Sequence, residues 1–166
     1  MVHRNFEQVE EMVNNLMEMH TKLDMLEQML QADREDITGP AHGLLPIHFH
    51  LNQLESFRNQ AMHQAKKSSA ESRATLTRWF ERLNTFIEAF EEYFASLSGN
   101  ILPIVRAGHP EVVVKLIKIA EMEGKEDEKV LCHFVWSKLQ FEHYITVGNS
   151  DPSCQESRED GRCFEV

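Results

Sequence analysis

The sequence predicts an all-α protein, elongated and built on a coiled-coil or long helical hairpin that leads into the start of a helical-bundle rod. Three observations predict it. Apolar residues recur at three- and four-residue steps from the N-terminus to about Ile101, the spacing of one helix face. Glycine and proline number only 7 and 5 in 166 residues, which disfavours a turn-rich β fold. Between Leu76 and Ile101 three seven-residue ladders run side by side, a broader face than a two-stranded seam needs.

The first segment, 1–36, is a heptad helix expected from about Val2 to Arg34. Val2, Val9, Leu16, Leu23 and Leu30 form one ladder, and Met12, Met19 and Leu26 interleave with it, as in a coiled-coil seam. Met17, Met25 and Met29 lie off that seam and broaden it towards a second neighbour. Residues 37–45 form a loop, because Gly39-Pro40 and Gly43 stop one helix and Pro46 suits the first turn of the next.

Residues 46–106 read as one long helix. Leu44, Ile47, Leu51 and Leu54 open it, and apolar density falls between Met62 and Thr75. Ser68 and Glu71 have capping-box spacing, yet no glycine or proline intervenes there, so an uninterrupted helix is the expectation. Such a helix would measure about 90 Å. Leu76, Leu83, Phe90 and Leu97, then Phe80, Ile87, Phe94 and Ile101, then Trp79, Phe86 and Tyr93 are its ladders. Residues 107–129 add a short helix from Pro110 to Glu123 and a charged hinge. Val112, Val113, Leu116, Ile117, Ala120 and Met122 supply its apolar face. The β-branched Val112-Val113-Val114 has no partner strand, so helix is expected there too. Residues 130–166 change character, hold all three cysteines, and are expected to be a disordered tail.

Charge excludes some functions. A net charge of −10 argues against a nucleic-acid binder. Residues 1–36 carry nine acidic and three basic side chains, whereas residues 58–82 carry six basic and two acidic. These stretches are either solvated faces or the code that sets which partner helix lies alongside. No run approaches 18 apolar residues, the least that spans a bilayer, and the N-terminus lacks a signal-peptide core. A cytoplasmic protein is the expectation.

No chemistry-bearing motif emerges. The glycines never cluster into a phosphate loop, and no Gly-x-Ser-x-Gly occurs. His48 and His50 point apart on a helix, and the nine histidines are expected to face solvent or a partner. Cys132, Cys154 and Cys163 have no metal-site spacing. No enzyme, metal or cofactor is expected. The basic residues Arg58, Arg73, Arg78 and Arg82 with Trp79 and Phe80 resemble a membrane or nucleic-acid patch only superficially, since both rings belong to apolar ladders.

Longer segments are more specific. Gly43-Leu-Leu-Pro-Ile-His-Phe-His-Leu-Asn-Gln-Leu-Glu-Ser-Phe-Arg-Asn-Gln60, Thr75-Leu-Thr-Arg-Trp-Phe-Glu-Arg-Leu-Asn-Thr85, and Asn100 to Gly108 through Gly124 to Lys129 resemble the N-terminal region of the exocyst Sec-six subunit, fungal branch. That resemblance implies a non-catalytic tethering subunit whose N-terminal helices bundle with other exocyst subunits, the Sec-eight-type subunit first. It also implies contact with a plasma-membrane SNARE and its regulators, placed on no residue here. Family members are several times longer, and Val130–Val166 departs from their pattern. The expectation is therefore a fragment, or a product whose tail stems from a wrong reading of the coding sequence.

The residues expected to meet partner helices are Val9, Met12, Leu16, Met19, Leu23, Leu26 and Leu30, with Leu76, Phe80, Leu83, Ile87, Phe90, Phe94 and Leu97 on the second face. The other possibility is a scaffold that self-associates through the same heptads.

Overall fold

A computed structural model of the protein describes residues 2–125. The expected tail at 130–166 and its three cysteines lie outside the described residues. Five α-helices follow in order among the described residues: α1 (Val2–Glu35), α2 (Leu44–Gln64), α3 (Ala70–Gly99), α4 (Ile101–Arg106) and α5 (Glu111–Glu123). There is no strand among the described residues. The all-α expectation holds, β-branched Val112–Val114 included.

The single helix expected over 46–106 is broken twice. The first break is a short 3₁₀ turn at Ala65–Lys67, then extended backbone at Ser68 and Ser69. Ser69 caps α3 by accepting the Ser72 N–H at 3.2 Å, which satisfies an otherwise unpaired donor of the first turn. No glycine or proline is needed, because folding back stacks the apolar faces of α2 and α3 on α1. A continuous rod would hold those faces at separate heights. The second break, at Asn100, has a local cause. Pro103 offers no N–H to the carbonyl four residues before it and its ring crowds that carbonyl, so α3 ends at Gly99 and the chain restarts as α4.

Helices α1, α2 and α3 form an up-down-up bundle. Asp33 near the end of α1 meets Gly43 at the start of α2, while Val9 and Met12 lie across from Phe57 and Ala61, so these two helices are antiparallel. Arg82 of α3 reaches Asp24 and Glu27 of α1, and Arg34 of α1 reaches Glu92 of α3, so α1 and α3 are parallel. The core between them holds Met19, Leu23, Leu26, Leu44, Ile47, Leu83 and Leu97, each nearly inaccessible. At 1.5 Å per residue α1 is about 51 Å long, α2 about 32 Å and α3 about 45 Å.

Charge patterning sets the α1–α3 register within the chain itself. Arg82 Nη2 donates to Asp24 Oδ1 at 2.6 Å and to Glu27 Oε2 at 2.8 Å, and its Nε donates to Glu27 Oε1 at 3.1 Å. These bonds hold the Arg82 guanidinium more firmly protonated than usual. The acidic first segment and basic third helix are thus paired at this point, rather than wholly solvated. Because the pairs lie at the surface, Arg82→Ala should cost only about 1 kcal/mol. The difference from wild type in urea unfolding should shrink in about 1 M salt, where charges are screened.

The second packing unit closes one end. Helix α5 begins after Gly108, whose φ of 97° is costly for other residues. It ends at Gly124, left-handed at φ 66°, with the Lys125 N–H bonded to Ala120 O at 2.9 Å, a Schellman closure. Val112, Val113, Leu116, Ile119 and Ala120 are buried. Ile119 takes the place expected for Met122, which is exposed. Lys115 Nζ donates to the carbonyls of Pro40 and Ala41 at 2.9 and 3.3 Å, tying α5 to the α1–α2 loop. The Nε2–H of His48 donates to Glu123 Oε1 at 2.6 Å. His48 is therefore a buried histidine holding α2 to α5, not the solvent- or partner-facing one expected. No signal in local sequence joins residues 75 apart.

Asp33 anchors the same end. Its Oδ2 accepts the Gly43 N–H at 2.9 Å, and a Cβ on Gly43 would sit 2.9 Å from that oxygen. Burial raises the Asp33 carboxyl above its usual range, opposed by the Gly43 N–H and by Tyr93. Burial likewise raises the Tyr93 phenol beside it. A carboxyl with a raised pKa in the folded state binds protons there more readily than when unfolded. Its contribution to stability therefore falls as pH rises from its ordinary value of 3.8 through the folded value. Asp33→Asn should remove that component, visible as a smaller downward slope when urea midpoints are compared from about pH 3 to 6.

Candidate partner-helix interface

The expected interface residues divide into two sets. Leu16, Met19, Leu23, Leu26, Leu30, Leu76, Phe80, Leu83, Phe90, Phe94 and Leu97 are all buried inside the chain's own core. Ile87 and Met12 are half-buried against it. Within the chain itself these thirteen are covered by α2 and α3 or by α1, so this structure buries them without a foreign helix. The reason is the break at 65–69, which gives α1 two neighbours, α2 antiparallel and α3 parallel to it, where the sequence suggested one long helix.

Val9 alone among the fourteen stays open, at 63% exposure. It is not isolated. Phe6 is 75% exposed and Met17 65%, with Val13 also exposed. At spacings of three and four residues these four share one strip of α1. This strip begins where the core-facing ladder peels away from the bundle. Phe6 and Val13 were missed because they lie off both heptad ladders. Their seven-residue separation, next to Val9 on the helix surface, was the available signal.

At the same end the three helices splay. A groove of about 1150 Å³ opens between the first turns of α1, the last of α2 and the first of α3. Its apolar walls come from Val9, Met12, Val13, Phe57, Ala61, Leu76 and Trp79. Trp79 was expected to be committed to packing, but it is 42% exposed. Phe57 stacks edge-on against Phe80 beneath, with ring centroids 5.6 Å apart. Contiguous exposed apolar surface of this kind marks an interaction site more often than a scattered leucine does.

The described residues offer little for other chemistry. No group of three or more His, Cys, Asp or Glu is placed to hold a metal ion among them. No helix among them is long and apolar enough to cross a membrane. A second cleft of about 600 Å³ lies between α1 and α3, where Arg34, Arg78 and Arg82 face Glu27 and Glu81. There Arg82 is paired with Glu27, and Arg34 reaches out to Glu92.

A family model described as exocyst complex component Sec6 matches residues 80–133. Among curated proteins the chain is similar to the exocyst complex component sec6 of Schizosaccharomyces pombe, 30% identical over 128 residues, or 76% of this chain and 17% of that protein. It is also similar to the exocyst complex component SEC6 of Saccharomyces cerevisiae, 31% identical over 111 residues, or 65% of this chain and 14% of that protein. The chain spans less than a fifth of the length of these curated relatives. No solved structure matches it. The resemblance to fungal Sec-six subunits is borne out.

Proposed function

From the similarity of this chain to fungal exocyst Sec6 subunits, we propose that it acts as a non-catalytic subunit, or part of one, in the exocyst. Its role is to assemble through N-terminal helices with other exocyst subunits, and so to help dock secretory vesicles at the plasma membrane. The observation that carries this reading is the open apolar strip on α1 beside a splayed bundle end. Each exposed valine or phenylalanine there would gain about 1.5–3 kcal/mol on full burial. A helix laid along the strip would give them that cover, in the helix-in-groove mode.

The Sec-eight-type subunit is the first partner to test, and a plasma-membrane SNARE with its regulators the second. The surface fits an assembly role, because valine, methionine, phenylalanine and tryptophan side chains are spread along an open groove rather than gathered around one reacting point. Co-expression of the full chain with the other exocyst subunits, followed by co-purification and gel filtration, tests the proposal. Recovery of a stoichiometric complex with at least one exocyst subunit is the expected result. A chain that stays monomeric and recovers none of them would defeat it.

A further inference from the structure

The two charged residues that line the splayed groove are both carboxylates, Glu11 on α1 and Glu71 on α3. Neither has a cation partner among the described ion pairs, whereas the acidic residues Asp24 and Glu27 further along α1 are held by Arg82. Beside the closed part of the bundle Asp24 and Glu27 are thus matched by the chain's own Arg82, and in the groove Glu11 and Glu71 have no such match among the described residues.

The basic side chains of the hairpin tip do not make up the difference. Lys66 and Lys67 sit in the 3₁₀ turn between Ala65 and Ser68, yet neither lines the groove although both of those neighbours do. The groove thus offers an apolar floor flanked by negative charge on opposing walls.

We infer that the occupant of this groove is an amphipathic helix from another protein, apolar on one face and bordered on both edges by lysine or arginine. This deepens the assembly reading and rests on it, since it states the chemistry by which that surface chooses its partner. A second copy of this chain is disfavoured by the same charges. Pairing two α1 strips would bring Glu10 and Glu11 of one copy towards those of the other, and like charges flanking a helical seam oppose association. Opposite charges at the edges give partner choice and register, while the apolar floor supplies most of the affinity.

The test uses the full chain and two synthetic helices of about 18 residues, five turns, that share a leucine face. One carries lysine on both edges and the other glutamate. Binding is read by fluorescence anisotropy of a labelled peptide at low salt. The lysine-edged helix should bind about tenfold more tightly, since two exposed pairs changed from repulsion to attraction amount to roughly that factor. Glu11→Lys with Glu71→Lys should invert the preference, and both sites are exposed, so far-UV circular dichroism should be unchanged. Val9→Asp with Val13→Asp should abolish binding of both helices.

Equal affinity for the two peptides, a preference that survives the charge reversal, or no binding of either would overturn the inference. So would a dimer of the chain itself, detected by sedimentation, whose formation blocks the peptide. The assembly proposal fails separately. If exocyst subunits co-purify with both the wild type and the Glu11→Lys, Glu71→Lys variant, assembly stands and the charge rule falls. If the wild type recovers no exocyst subunit while the peptides discriminate as described, the charge rule stands and the exocyst assignment falls.

Discussion

Leu23→Ala is expected to destabilise the isolated chain by about 2–5 kcal/mol, the range for deleting a buried leucine side chain. Leu23 lies at the middle of α1 with no accessible surface, in the core that α1, α2 and α3 enclose. Truncation removes buried methyl groups and leaves a void that close-packed neighbours fill only in part. The loss should appear without any partner present, as a lower urea midpoint by far-UV circular dichroism. Met17→Ala, six residues away on the exposed strip, should stay within about 0.5 kcal/mol of wild type. If Leu23→Ala left the isolated chain's midpoint unmoved, the three-helix core would not be what covers the heptad seam.

The complementary result is expected for the open end. Val9→Asp combined with Val13→Asp should leave the urea midpoint of the isolated chain nearly unchanged, because both side chains already face water. In the assembly proposed above, binding to exocyst subunits should nevertheless weaken by about a hundredfold, since two valines at about 1.5 kcal/mol each would lose their burial. The measurement is the apparent affinity in a titrated pull-down, with Leu23→Ala as the opposite case: less stable alone, but with its open strip intact. Together the two variants separate folding from assembly along one helix. A Val9→Asp, Val13→Asp chain that assembled normally would remove α1's N-terminal strip from the interface.

The division between Leu23 and Val9 also shows what heptad spacing can and cannot report. Val9, Leu16, Leu23 and Leu30 repeat without a change of period, so the sequence marks them all as needing cover. Period says that a residue is to be buried, and not by whom. Leu16, Leu23 and Leu30 find cover inside the chain because α2 and α3 return alongside them. Val9 does not, because the helices splay near the hairpin tip.

What the sequence by itself determined is considerable: an all-helical fold in the described residues, the stops at Gly39-Pro40 and Gly108-Pro110, the apolar ladders that run along α3 into α4, and the resemblance to Sec-six subunits. Each follows from local causes, whether periodicity, backbone restriction or long matching segments. Only the tertiary structure decided where 46–106 bends, and thus which neighbours each face meets. It also revealed the bond from His48 to Glu123 and the clamp of Lys115 on the Pro40 and Ala41 carbonyls. The bend at Ser68–Ser69 carries no glycine or proline because the gain from stacking three apolar faces, not local backbone preference, selects it. Contacts between residues about 75 apart exist only after that choice is made.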